Sequence, residues 1–246
     1  MVEEIKRLFK TYKEYKTNKS KERLLFDEFY KDLETYNSMA SEEQQAKKEH
    51  LYPCLFDKTI FTDIEPTYFF QDSWAFEKIY QNKPNNHVDV GSHHKFVSFL
   101  SKIVDTTMVD IRPLSVDMPS IKFLKGSILE MPYEDNQIDS LSSLCVIEHI
   151  GLGRYGDDLD PWGSEKAFKE IYRVLKPNAN FYFSVPIEET NKTYFNAHRA
   201  FNEAYLLNEL LKNYELASKG YIFGNEFLEN KKSGFGIGCF HLKKKK

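Results

Sequence analysis

Two stretches of this 246-residue chain carry residue types whose spacing could do chemistry. The first is HVDVGSHH, His87 to His94, which runs on to TTMVD and ends at Asp110. An apolar strand that stops at a glycine and feeds a helix leaves bare backbone and a helix N-terminus for a ligand. Asp110 follows Gly91 by 19 positions (110 minus 91). That is about the ~20-residue separation at which a carboxylate on the next strand accepts the hydroxyls of a ribose. The second stretch is EHIGLGRYGDDLDPWG, Glu148 to Gly163, with FNAHR, Phe195 to Arg199, downstream of it. His149 and His198 are of the type most often used to take a proton near neutral pH, and Glu148 could orient His149 or serve as the base itself.

A turn that holds a pyrophosphate normally needs three spaced glycines, and here Ser92, His93 and His94 stand where the others would fall. Their side chains would crowd a diphosphate, which disfavours a dinucleotide oxidoreductase and favours an adenosine cofactor without phosphate. S-adenosylmethionine is such a ligand. Asp89, at the strand's end, is placed to help hold its ammonium group; Ser127 and Ile128, in the turn after Gly126, to read its adenine edge. Tyr68 and Gln71, with Asp72, could lie over the crevice, and Arg112 and Cys145 complete the expected cofactor set. Arg154 and Arg199 suit a diphosphate on the second substrate, because the guanidinium fork matches phosphate oxygens. Tyr155, Asp160 and Asn196 could bond sugar hydroxyls. The plainer alternatives are a tight turn at Gly91, a loop-capping His149, a substrate-donating His198, and salt bridges from both arginines to Asp157, Asp158 or Asp160. A metal on Glu148, His149 and Asp160 matches no defined ligand spacing, so none is expected.

Elements must position these groups. The spacing predicts strands at HVDV, TTMVD, IKFL from Ile121, Ile138 to Ile147, and FYFSV. It adds a helix over Ala167 to Leu175, one from about Arg199 to Leu211, and two closing strands near Tyr214 to Lys219 and Phe235 to Leu242, the latter antiparallel. Apolar residues at spacings of three and four predict two amphipathic helices, Val2 to Tyr15 and Leu24 to Tyr36. A Pro- and aromatic-rich connector, 51–86, holds a helix capped at Asp72 or Ser73. The chain is therefore read as an N-terminal helical extension, 1–50, and an α/β domain, 51–246.

A hydrophobic fraction of 41% supplies a normal core, and a net charge of -3 gives no case for nucleic acid. Cys54, Cys145 and Cys239 are odd in number and lack metal or redox spacing, pointing to free thiols in a reducing compartment, the cytoplasm. No stretch approaches a membrane span or a signal peptide. The charged N-terminal helices could pair copies into a homo-oligomer.

HVDVGS, VDIRP, KGSILEMPY and LKPNANFYFSVP resemble the successive motifs of the class I S-adenosylmethionine-dependent methyltransferases. YFFQDSWA, HVDVGS, EHIGLGRYGD and FNAHR together resemble a bacterial family known as a domain of unknown function and found among genes for surface polysaccharide. The resemblance spans about Leu51 to Arg199. It implies a Rossmann-like, mostly parallel sheet of seven strands, one antiparallel. It also implies S-adenosylmethionine as cofactor and methyl transfer to an oxygen of a sugar nucleotide or related polysaccharide precursor. Methylation of another small molecule, and a non-catalytic S-adenosylmethionine-binding subunit, are the alternatives. The sequence departs from that family's pattern at Ser92, His93 and His94, at Ser127, and at Asn178 and Asn180, where Asn can take the left-handed conformation usually supplied by glycine.

Overall fold

In the computed structural model the backbone is described from Val2 to Lys246 and side chains from Lys19 onward. The chain divides into two compact units, 1–63 and 64–246, later than the compositional boundary at 50/51 because the extended segment up to Asp63 contacts the N-terminal unit. That unit is built on one helix, α1 (Val2–Met39), where two were expected. KTNKSKER, between the two apolar stripes, contains neither Pro nor Gly to break the helix. Downstream, Ala46 and Asn37 exchange hydrogen bonds and Lys58 pairs with Glu28, which folds the segment back along α1.

The second unit begins with α2 (Pro66–Asn82). The helix starts before Asp72 because Pro66 sits at its first position, where a missing N–H costs nothing, and the Glu65 carboxylate accepts from the Tyr68 amide. Left-handed Lys83, followed by Pro84, ends it. Then come β1 (Asn86–Val90), α3 (His94–Leu100), β2 (Asp105–Asp110), β3 (Ile121–Lys125), β4 (Ile138–Leu144), α4 (Gly163–Val174) and β5 (Leu175–Glu188). The remainder is a hairpin of β6 (Lys192–Tyr194) and β7 (His198–Asn202), then β8 (Tyr214–Phe223), β9 (Glu226–Leu228) and β10 (Gly236–Lys244).

The sheet order is β3-β2-β1-β4-β5-β10-β8-β9, with β3 to β5 parallel and β10 antiparallel to both neighbours. Seven of these strands thus form the expected sheet; β9 is a three-residue addition at its edge, and β6 and β7 lie off its main path. Both faces are buried: Phe181 and Phe183 point into one layer with Phe168 and Phe240, while Tyr182 between them joins the other with Trp74 and Leu100. Asn178 takes the left-handed conformation (φ 66°) in the turn before the apolar part of β5. Among the described residues no helix is long and apolar enough to cross a membrane.

Two boundaries differ from expectation. Strand β4 stops at Leu144 because Cys145 is left-handed (φ 49°), and Ile147–His149 form a 3₁₀ turn. The helix expected from Arg199 is a strand as far as Asn202, since His198–Asn202 pairs with both β6 and the end of β5. Only at Asn202, whose side chain accepts from the Tyr205 amide, does a short helix and π turn begin.

Candidate active site

The order of strands reverses between β1 and β4, and a crevice at the carboxyl ends of a sheet is expected at such a point. A cleft of about 470 Å³ lies there, lined from the ends of β1, β2, β3 and β4. This volume is within the range of small-molecule sites.

Its wall at the ends of β1 and β2 is largely backbone. Gly91 is left-handed (φ 69°), and a Cβ built on it would come 3.1 Å from Val146 and 3.9 Å from Asp110 Oδ2. A side chain there would fill the space beside the carboxylate. Asp110 Oδ1 accepts the Arg112 amide at 2.8 Å, which fixes the carboxyl and leaves Oδ2 toward the cleft turn. Asp89 is fully buried and does not reach the cleft: its oxygens accept from the Ser92 amide (3.0 Å) and the Ser142 hydroxyl (2.5 Å). Burial pushes this carboxyl up to about 6 against those hydrogen bonds. Ser92 Oγ accepts in turn from the Leu144 amide, knitting the turn to β4. Asp89 therefore builds the turn; it is not placed to hold an ammonium group.

Tyr68, Ser127, Ile128, Arg112 and Cys145 line the cleft as expected, and His93 and His94 join them. Gln71 does not; it lies buried beneath, where its Oε1 accepts from Ser184 Oγ (2.7 Å) and Cys145 Sγ (3.1 Å). The roof is made where two loops meet: the Arg112 guanidinium stands 4.7 Å from the centre of the Tyr155 ring, which meets the His149 ring edge-on at 5.5 Å.

The opposite wall is the loop after β4. Asp157, a lining residue named from the sequence only as a possible arginine partner, accepts the amides of Gly151, Gly153 and Tyr155 and shapes it. Its signal was present, an acid among glycines, but an acid bonding its own loop reads like any surface carboxylate. His149 lines the cleft; its Nδ1 donates to the Ala197 carbonyl at 2.6 Å, so the neutral ring carries its lone pair on Nε2. That Nε2 lies 3.6 Å from Glu148 Oε1. Burial lowers His149 to about 4 and raises Glu148, which is 1% exposed, to about 8. Glu148 Oε2 has no hydrogen-bond partner. At neutral pH the pair thus holds one proton, on the carboxyl.

The other expected residues lie elsewhere. Arg199 is 6% exposed and gives its donors to the carbonyls of Ile150, Asp160 and Pro161 and to Ser164 Oγ. It clamps the loop and has no fork free for a diphosphate. Asp160 is spent on the Trp162 amide and Lys166. His198 is outside the cleft lining, between the rings of Tyr194 and Phe235. Asn196 is an exposed left-handed residue (φ 63°) in the β6–β7 turn, and Arg154 is exposed beside Ala197. Among the described residues no three potential ligands gather into a metal site.

Residues 104–225 match a family described as "Caenorhabditis protein of unknown function, DUF268". Among curated proteins nothing matches. The N-methyltransferase NodS from Bradyrhizobium japonicum superposes with a TM-score of 0.55 at 11% identity, over 75% of this chain and 100% of that one. The 1,6-didemethyltoxoflavin-N1-methyltransferase of Burkholderia thailandensis, solved with its substrate and S-adenosylhomocysteine, gives 0.52 at 15% identity over 74% and 80%. The [4+2]-cyclase SpnF gives 0.53 at 11% over 71% and 81%, so one architecture hosts different chemistries. With its strand order, its single reversed long strand and these superpositions, the second unit has the Rossmann-like class I methyltransferase fold.

Proposed function

We propose that this chain is a cytoplasmic S-adenosylmethionine-dependent methyltransferase acting on an oxygen of a sugar nucleotide or a related surface-polysaccharide precursor. The observation that carries the cofactor reading is the Asp110 carboxylate, held by the Arg112 amide and facing the side-chain-free Gly91 turn. Asp110 would accept ribose hydroxyls, and Ser127 and Ile128 would border the adenine. Bound there, S-adenosylmethionine supplies an electrophilic methyl group. The chain's own residues must hold the acceptor in line, exclude water and take its proton. His149 Nε2 carries the lone pair in the cleft wall, and the Glu148 carboxyl behind it shares the arriving proton only in its ionised form, which predominates above about pH 8. The acceptor, its oxygen and the polysaccharide setting rest on the sequence resemblance. Pairing of copies through α1 belongs to the same proposal.

Calorimetry with S-adenosylhomocysteine tests the cofactor site. Asp110→Ala should weaken binding by roughly 10- to 100-fold, as expected for charge-assisted hydrogen bonds of about 1.5–3 kcal/mol. Unchanged affinity in a folded variant would reject the assignment. Incubation with S-adenosylmethionine and a panel of nucleotide sugars, read by mass spectrometry for the added methyl, tests the reaction. Cofactor binding without methylation of any acceptor would favour the non-catalytic reading.

A further inference from the structure

Three aromatic rings outside the cleft are held in place without being buried. Tyr194 is 41% exposed and Phe235 51%, and the His198 ring lies between them, with centroids 5.0 and 5.5 Å away. Exposed rings usually move; here two adjacent carboxylates at the end of β5 hold the Tyr194 hydroxyl and the segment that leads to Phe235. Glu188, itself buried, accepts the Tyr194 hydroxyl and pairs with Lys192. Glu189 accepts Ser233 Oγ (2.7 Å) and the Gly234 amide (2.6 Å), which sets the segment leading to Phe235. Those two bonds also hold the Glu189 carboxyl down to about 2, so it keeps its charge and its grip throughout the physiological range. The His198 ring is tilted by 45° to Tyr194 and by 51° to Phe235, so the three offer ring faces and edges open to solvent, and a ring cluster already partly ordered loses little further freedom when a flat ligand stacks on it.

The platform is tied to the proposed active site through one carbonyl. Ala197 O accepts from His149 Nδ1 at 2.6 Å and from Arg154 Nη1 at 3.1 Å, and the next residue is His198. Arg154 has further donors, and the neighbouring acids are otherwise engaged: Asp160 with Lys166, and Asp157 with the loop amides. Among the described residues no carboxylate pairs with this guanidinium, which lies 5.2 Å from the centre of the Tyr155 ring and close enough to His149 and His198 to add to the lowering that burial gives the pKa of both. We propose that Tyr194, His198 and Phe235, with Arg154, form a subsite for a nucleoside diphosphate, the base stacking on the rings and the phosphates pairing with the guanidinium. This deepens the reading given under Proposed function and rests on it for the reacting end. It reassigns His198 from proton acceptor to stacking partner, and it adds Tyr194 and Phe235 as determinants of the acceptor.

The full chain is titrated calorimetrically with UDP, CDP, GDP, ADP and dTDP, with uridine, pyrophosphate and methyl glucoside as controls, with and without S-adenosylhomocysteine. At least one diphosphate should bind more tightly than its nucleoside and than pyrophosphate. Phe235→Ala and His198→Ala should each weaken that diphosphate on the order of ten-fold, the loss expected for one stacked ring. Phe235→Trp should retain it, a rescue that a merely structural role would not predict. Arg154→Gln should weaken the diphosphate and leave the nucleoside unchanged. Absence of binding by every diphosphate to the folded wild-type chain, binding of methyl glucoside alone, or wild-type affinity in both Ala variants would overturn the subsite. Intact S-adenosylhomocysteine binding in that event would leave the methyltransferase reading standing; loss of cofactor binding with nucleotide binding kept would remove that reading and not the platform.

Discussion

The two walls of the cleft are built by opposite means. The β1–β2 wall presents backbone and one carboxylate: Gly91 has no side chain, Asp110 is pinned by the amide two residues on, and buried Asp89 and Ser92 bond the turn from below. The wall after β4 presents titratable side chains on an irregular loop that Arg199 and Asp157 hold by its own carbonyls and amides. The first wall takes its shape from the sheet, so it suits a ligand that never changes. The second takes its shape from side chains reaching across from β7, so acceptor chemistry can be altered without touching the sheet. Function and folding load are therefore separable in one half and entangled in the other.

The sharpest break of this contrast is at the proposed proton acceptor. His149→Ala should reduce kcat by roughly 10²–10⁴-fold, the usual contribution of a positioned base, while S-adenosylhomocysteine affinity stays within about two-fold. Because burial raises Glu148 to about 8, the wild-type rate should climb as pH rises through that value, and Glu148→Gln should flatten the climb. A rate independent of pH between 6 and 9 in the wild-type chain, with Glu148→Gln fully active, would detach the carboxyl from the chemistry. The same group gives a stability test of definite sign. Its folded pKa lies above the ordinary 4.5, so the stabilisation it contributes is complete at acid pH and is lost as pH rises through about 8. Glu148→Gln should accordingly narrow the gap in melting temperature between pH 6 and pH 9.

Next in size is the clamp. Arg199→Met takes the guanidinium donors from the carbonyls of Ile150 and Pro161 and leaves the Asp160 carbonyl with the Gly163 amide alone, and charge-assisted bonds of this kind are worth about 1.5–3 kcal/mol each before relaxation. We expect a loss of about 3 kcal/mol in chemical denaturation and a collapse of turnover, since the loop carries His149. If entanglement is confined to the acceptor wall, the folded fraction should still bind S-adenosylhomocysteine normally. Proportionate loss of cofactor affinity would mean that the walls are not independent.

These unequal walls also explain what could be read from the chain alone. Gly91, Asp110 and the strands that carry them were legible because they follow from period-two apolar runs and one backbone rule. The helix expected to be capped at Asp72 or Ser73 begins at Pro66, because a proline at a helix's first position and one in a loop look alike until the Glu65 cap is seen. Arg199 and Asp160 looked like ligand-binding groups for a related reason: nothing local tells a guanidinium facing substrate from one facing a neighbouring carbonyl. The misassigned helix after Arg199 has the same origin, since the pairing of His198–Asn202 with β5 is a contact between distant segments. The Glu148–His149 pair was visible as residue types, but its inverted order of basicity, carboxyl above imidazole, comes only from burial.

The smallest effect tests the wall that seemed simplest. Gly91→Ala puts a Cβ on a left-handed residue and 3.1 Å from a Val146 methyl, which is itself movable. The conformational cost is about 1 kcal/mol. What distinguishes a mere turn from a ligand cradle is the second contact, 3.9 Å to Asp110 Oδ2, because an ordinary van der Waals distance costs folding nothing but fills room a ribose would need. Stability should therefore fall slightly while S-adenosylhomocysteine affinity falls several-fold further than stability accounts for. Equal losses in the two measurements would make Gly91 a turn residue only, and would shift the recognition of the cofactor from backbone to side chains.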